Sequence, residues 1–284
     1  MKIRIIVNLL LIVTVISLGV IAWLKAGQQS STSRISTLDI SAIERIKIIR
    51  ETAKTIELQR LKSQWVITKP IAAPALTGKI ERLIKISQIT PPVTYPLKNK
   101  DLEPFGLKTP KVQLSFNNET LNIGRTESVH SRRYVSNDSK LFLLDDTFLQ
   151  HLTAPVDAYI DTRLLADGTQ ITGLQTPQIT LQRRADNTWQ NPQAPSDELS
   201  SDVVQMLLDE WRFARAINVS SVVNQATSKP VVIHVSKGQP LHFRLIEQQN
   251  DIILISSEAQ LAYTFSQAKY KKMTTLPRLD KPDA

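Results

Sequence analysis

Two stretches of this chain carry one pattern. Ile56-Glu57-Leu58-Gln59-Arg60 runs on to Trp65, Pro70 and Pro74 before a helix-like segment, and Ile179-Thr180-Leu181-Gln182-Arg183 runs on to Trp189, Pro192 and Pro195 before another. The two tryptophans stand 124 positions apart. Downstream, Pro110-Lys111-Val112-Gln113-Leu114 is echoed by Pro230-Val231-Val232-Ile233-His234-Val235, 120 positions later. A near-constant offset at separate landmarks predicts a duplicated unit and hence two like lobes.

Ahead of the repeat, Ile5 to Leu24 holds no charged residue and is mostly Ile, Leu and Val. As a helix rising about 1.5 Å per residue, such a run spans a hydrocarbon core of about 30 Å. Lys2 and Arg4 precede it and Lys25 alone follows closely, which favours a cytoplasmic N-terminus and an exported remainder. A cleaved signal peptide is the competing reading, but its apolar region is usually about 7–15 residues with small residues before the cut. Here the exit reads Ala22-Trp23-Leu24-Lys25-Ala26-Gly27, with a bulky and a charged residue on the approach. The expectation is an uncleaved single-pass inner-membrane anchor with a periplasmic C-terminal part.

The chain of 284 residues, 42% hydrophobic and 21% charged, is long enough for two folded domains after the anchor. It has no cysteine, so disulfides, thiolate metal sites and cysteine nucleophiles are excluded. The net charge of +9 includes Lys2 and Arg4; the scattered remainder reads as a solvated surface rather than a designated anionic target.

Period-two alternation marks strands at Ile46/Ile48, Ile56/Leu58, Trp65/Ile67, Val112/Leu114/Phe116 and Leu121/Ile123, with a turn at Asn117-Asn118. Arg133-Tyr134-Val135 and Leu141 to Leu144 flank a further turn, and a short helix over 147–152 follows. Thr77 opens a helix whose Ile80, Leu83, Ile84 and Ser87 share one side. In the second half, Ser196 is the expected cap of a helix with a stripe of Leu199, Val203, Met206, Leu207, Glu210 and Ala214. Strands around Val231, Phe243, Ile252 and Tyr263 and a basic helix over 266–273 complete it. The fold class is α+β: two tandem similar lobes of mainly antiparallel sheet, each with a packed helix, after one N-terminal transmembrane helix. The segments are 1–26 cytoplasmic tip and anchor, 27–42 linker, 43–160 first repeat, 161–275 second repeat and 276–284 loose tail, with 153–178 as connector.

Chemistry is sparsely signalled. The eight glycines form no G-x-G-x-x-G, P-loop or G-x-S-x-G, and there is no H-E-x-x-H. His234 and His242 could face each other across a turn and hold a metal with a third ligand, but no neighbouring acids complete a site; structural imidazoles are the expectation. Asp157 and Asp161 could form an acid/base pair beside Tyr159 and Arg163, against the reading of an interlobe connector with an Asp–Arg pair. Trp65 and Trp189 could stack on carbohydrate, but their recurrence at one place in each unit favours core anchors. Arg132-Arg133, Arg183-Arg184 and Lys269/Lys271/Lys272 lack interleaved aromatics, so no nucleic acid is expected. Trp211, Arg212 and Arg215 form the candidate partner-binding group, because Trp and Arg are enriched at interface hot spots; favourable charge at a helix C-terminus explains the arginines equally well.

The tract Leu102-Glu103-Pro104-Phe105-Gly106-Leu107-Lys108-Thr109-Pro110, with Leu121-Asn122-Ile123-Gly124, Arg133-Tyr134-Val135, Leu141-Phe142-Leu143-Leu144 and the upstream Trp65 to Pro70 segment, carries a resemblance. It resembles a bacterial family of membrane-anchored proteins classed as a domain of unknown function, whose members occur beside gliding-motility-type ABC transporter components. The resemblance implies an envelope accessory protein with no catalytic residues to transfer. The leading expectation is a non-enzymatic, membrane-anchored periplasmic accessory protein without cofactor or identified small-molecule substrate, whose partners are the membrane and ABC transporter permease or auxiliary subunits. The alternative is a cell-envelope polysaccharide-acting hydrolase using Asp157 and Asp161 or the histidine pair.

Overall fold

The structure, a computed structural model, describes residues 11–17, 19–20, 34–98, 100–194, 199–222 and 227–277. Residues 11–17 and 19–20 are helical and expose Leu11, Ile12, Val13, Val15, Ile16 and Val20. The rest of the expected anchor and residues 27–33 of the expected linker lie outside the described residues, whereas 34–42 buries Ile35 and Ser36 and forms a 3-10 turn at Ile40–Ala42, so this part is packed rather than a free spacer. Among the described residues no helix is long and apolar enough to cross a membrane.

The remainder is α+β with mainly antiparallel sheet. The chain divides into two compact units, Met1–Ala53 with Arg82–Leu152 and Lys54–Glu81 with Thr153–Ala284. In the first, β1 (Arg45–Arg50), β5 (Val93–Pro96), β6 (Val112–Phe116), β7 (Glu119–Thr126), β8 (Arg132–Ser136) and β9 (Lys140–Asp145) lie in the order β1-β6-β7-β8-β9-β5, all antiparallel. The alternation read from sequence sets the inward face: Ile46, Ile48, Val112, Leu114, Phe116, Leu121 and Ile123 are all buried. Asn117, at a left-handed φ of 51°, turns β6 into β7, and its side chain accepts from the backbone N–H groups of Glu44 and Arg45 (both 3.0 Å). One polar side chain thus fixes both the hairpin and the start of β1.

The tract Leu102 to Pro110 has a structural role in this unit. Glu103–Phe105 forms a 3-10 turn ended by Gly106 at φ 64°. It lies on Gly124 of β7 so closely that an added Cβ there would sit 2.3 Å from the Phe105 carbonyl oxygen. Arg125 donates to the Glu103 carbonyl at 3.0 Å, and the Phe105 and Tyr134 rings meet edge to face at 4.9 Å. Arg133, read from sequence as part of a short basic cluster, is buried. Its guanidinium donates to the Gly124 carbonyl at 2.6 Å and pairs with Asp146 at 2.5 Å.

In the second unit, β2 (Ala53–Leu61), β3 (Gln64–Lys69) and β4 (Ala73–Pro74) form an antiparallel ribbon, with Trp65 opposite Arg60. The sequence reading places this ribbon in the first repeat; by packing, all of it from Lys54 on belongs to the second unit. Backbone pairing explains why: Ala75 bridges Ile160, the Leu76 N–H donates to the Tyr159 carbonyl (2.7 Å), and the Asp161 N–H donates to that of Pro74 (2.9 Å). The helix α1 (Thr77–Ser87) follows, with Thr77–Glu81 counted in the second unit and the rest in the first; it buries Ile80, Leu83, Ile84 and Ser87, as its periodicity predicts, with Ile86.

After the short helix α2 (Leu149–Thr153) come β10 (Ile171–Gln175), β11 (Thr180–Arg183), β12 (Trp189–Gln190), α3 (Ser201–Arg212), β13 (Asn218–Ser221), β14 (Lys229–Val235), β15 (Leu241–Glu247), β16 (Asp251–Ser256), β17 (Leu261–Ser266) and α4 (Gln267–Thr274). The eight strands order as β12-β11-β10-β14-β15-β16-β17-β13. Three sequence expectations shift. The span 153–178 contains β10 and is not only a connector. The strands β5 and β13 were not expected; each is four residues long and pairs with the last strand of its series rather than with a sequence neighbour. The helix α3 starts at Ser201 after the cap position Ser200, whereas the expected cap Ser196 lies outside the described residues. The basic helix expected over 266–273 is α4, which starts one residue later because Ser266 is its cap, its hydroxyl accepting from the Lys269 N–H at 3.2 Å.

Candidate functional site

The segment after Tyr159 puts charge below the surface. Asp161 is 6% exposed because its backbone is paired with Pro74. A carboxylate in that position needs compensation. Arg163 supplies it, donating Nε to one oxygen at 2.7 Å and its backbone N–H to the other at 3.1 Å; Arg215 stands 4.0 Å from the second oxygen. The other arm of Arg163 pairs with Asp167. The Asp161 and Asp167 carboxylates hold the Arg163 guanidinium well above its ordinary pKa, and the hydrogen bond from Arg163 holds the Asp167 carboxyl below the usual range. Tyr263, also buried, is pushed up first by burial and then by Asp161.

These groups border a cleft of about 340 Å³ together with Gln64, Trp65 and Thr77. Its walls mix these polar groups with Trp65, Pro74 and Leu164, and Asp161 meets it with both oxygens already engaged. A general acid or base needs a free position facing the reacting atom. Asp157 is not joined to Asp161 here: it sits in the 3-10 turn Val156–Tyr159, where its carboxylate accepts from the adjacent Ala158 N–H at 3.0 Å. The two acids serve separate local structures.

His234 and His242 both lie exposed on the outer face of the sheet, but Val232, not His234, stands opposite His242. His234 rests on Gly173, where an added Cβ would be 3.1 Å from its ring. The His242 N–H donates to Glu258 at 3.2 Å. Among the described residues no three His, Asp or Glu side chains are placed to hold a metal. Of the tryptophans read as core anchors, Trp65 is 9% exposed, whereas Trp189 is only half-buried on a two-residue edge strand.

The α3 region departs furthest from expectation. The buried face is Val204, Leu207, Leu208 and Trp211, so of the expected stripe Leu207 and Ala214 are buried and Met206 is half exposed. Trp211 is fully buried, its Nε1–H donating to the Met273 carbonyl at 2.5 Å. It is a core residue, and a partner cannot touch it in this fold. Arg212 pairs with Asp209 at 3.0 Å, one turn back, and lies 5.9 Å over the Phe213 ring; Arg215 is 61% exposed.

Beyond the helix the chain is strand-like. Leu164 N–H donates to the Ala214 carbonyl, Ala216 N–H to that of Thr162 and Ile217 N–H to that of Thr264. In this setting Ala214 and Ala216 point inward, while Phe213 and Ile217 are 69% and 68% exposed. A row of Phe213, Arg215 and Ile217 therefore lies in solvent, with the half-buried Arg212 beside it. Sequence reasoning found the arginines and missed both apolar residues. The signal was present as the alternation Phe213-Ala214-Arg215-Ala216-Ile217, but hydropathy alone orients such a run with the large residues inward.

The sequence profile of the family described as Domain of unknown function (DUF4340) matches residues 65–232, more than half of the chain. No curated protein and no solved structure matches it.

Proposed function

The chain belongs to the DUF4340 family, and from that premise we propose that it is a non-enzymatic accessory protein, anchored in the inner membrane by the Ile5–Leu24 run with its folded part in the periplasm. It docks a protein partner, a permease or auxiliary subunit of an ABC-type transport system, through Phe213, Arg215, Ile217 and Arg212. The observation that carries the reading is the exposure of Phe213 and Ile217, at 69% and 68%, on either side of the inward-facing Ala214 and Ala216. Large apolar side chains flanked by arginines have the composition of an interface core and its rim. The transporter partner rests on the sequence resemblance, and the location on the charge asymmetry around the apolar run.

The test is co-purification of the full chain from membranes. Phe213→Ser with Ile217→Ser is expected to leave unfolding unchanged within about 0.5 kcal/mol, as surface substitutions do, and Arg212→Ala with Arg215→Ala, which also removes the partner of Asp209, to cost about 1 kcal/mol; both are expected to lose transporter subunits from the eluate. Undiminished recovery of those subunits by both variants overturns the docking surface. A reporter fused after Ala284 should be active only in an exported form.

The alternative, an envelope polysaccharide-acting hydrolase, draws on the cleft bordered by Asp161 and Tyr263. The engagement of both Asp161 oxygens by Arg163 supports the binding reading over it. The two-lobe reading also belongs here: we propose that the halves are a tandem duplication. Its support is the recurrence of order, β1-β6-β7-β8-β9-β5 against β10-β14-β15-β16-β17-β13, each followed by a helix. An experimental structure in which 43–152 and 170–275 fail to superpose would overturn it.

A further inference from the structure

A second feature of the α3 region is independent of the docking row. Where α3 meets α4, an open groove of about 820 Å³ runs over Met206, Leu207, Ala268 and Leu276. Its size is within the range of sites that enclose small ligands, about 300–1,000 Å³. Met206, half exposed, lies on its wall although it belongs to the helix's expected core stripe.

The charges around the groove are unequal in their commitments. Two acids and two lysines border it: Asp209, Glu210, Lys271 and Lys272. Both acids are compensated from within the fold. Glu210 pairs with Lys269 at 2.5 Å, and Asp209 accepts from Arg212 at 3.0 Å and from Gln205 at 2.8 Å. Lys271 and Lys272 are exposed and have no ion-pair partner among the described residues. An apolar floor with two exposed cations at its edge complements a molecule with a long apolar tail and an anionic head. We propose that this groove binds a single-chain anionic lipid of the fatty-acid class, the acyl chain lying between the helices on Met206, Ala268 and Leu276 and the carboxylate against Lys271 and Lys272. Burial of each methylene supplies the affinity, and the lysines set the orientation of the chain and the preference for a charged head.

The test uses the full chain in phosphatidylcholine vesicles that contain either a diazirine-bearing hexadecanoic acid or the matching hexadecanol, with adducts mapped by peptide mass spectrometry after illumination. The acid is expected to label the peptides carrying Met206, Ala268 and Leu276 several-fold more than the alcohol does. Lys271→Glu with Lys272→Glu should reduce that labelling several-fold. Ala268→Trp, a substitution at an exposed position that fills the groove, should abolish it while circular dichroism and the melting temperature stay unchanged. Labelling of residues 5–24 in the same samples reports that the probe was present and activated. Adducts confined to 5–24, equal labelling by acid and alcohol, or labelling that survives both variants would each overturn the proposal. None of these readouts depends on recovery of a transporter subunit, so its failure is distinct from failure of the docking surface.

Discussion

Trp65 and Trp189 occupy the same place in two hairpins and end in different environments. Each follows a strand that closes on an Ile-x-Leu-Gln-Arg run, and each stands opposite the arginine of that run, Arg60 in one hairpin and Arg183 in the other. Trp65 is then covered: β4 pairs alongside it, the Ala75 N–H donates to its carbonyl at 2.9 Å, and it is 9% exposed. Trp189 sits on a two-residue edge strand with no further strand beside it among the described residues, and it remains half-buried. Repeated sequence fixed the register of the pair. What lies over the pair decided the burial.

The largest expected effect tests that contrast directly. Trp65→Ala should cost about 3–5 kcal/mol in denaturant unfolding, the range for emptying a buried aromatic site, and Trp189→Ala should cost about half as much or less. Equal losses would show that cover is not what separates them. Trp211→Ala belongs with Trp65 in magnitude, since it removes a fully buried ring and its bond to the Met273 carbonyl.

A second comparison concerns β7 and β15. Ile123 stands opposite Val112 in one sheet and Phe243 opposite Val231 in the other; the next residue is Gly124 in the first and Arg244 in the second. Only Gly124 has a backbone turn resting on it, so Gly124→Ala is expected to cost about 1–3 kcal/mol by overpacking, whereas Arg244→Ala should stay near about 0.5 kcal/mol. Thermal unfolding of the two variants measures the difference.

The smallest effect is pH-dependent. Burial, then the nearby Glu247 carboxylate, pushes the Tyr270 phenol above its ordinary value, and its hydroxyl bonds to Gln178 at 3.0 Å. With the folded pKa above the unfolded one, this contribution is fully present below about pH 10 and is lost as pH rises beyond it. Tyr270→Phe should cost about 1 kcal/mol at neutral pH through the lost hydrogen bond and flatten the alkaline decline of the melting temperature. An unchanged alkaline limb would assign that decline to other groups.

The sequence by itself determined most of the strands, the turn at Asn117, the inward faces of α1 and the β6–β7 hairpin, and the start of α4 to within one residue. These depend on nearest neighbours: a two-residue alternation, a backbone angle, a cap. It also contained the recurrence of the Trp hairpin and, in the Leu102 to Pro110 tract, the residues that seat a 3-10 turn on Gly124. It did not determine which side of α3 is inside. In Ser201–Arg212 apolar residues occupy more than one stripe, and the face chosen is the one that lets Trp211 reach the Met273 carbonyl, more than sixty residues away. It did not reveal β5 or β13, because a four-residue strand carries little periodic signal and its partner is distant in the chain. Nor did it show that Asp161 and Arg133 are buried, or that Phe213 and Ile217 are not. Solvent exposure is set by the elements that come to lie over a residue: the backbone of Ala214 and Ala216 is paired with Leu164 and Thr162, which holds these two residues inward and leaves the larger side chains on either side outward.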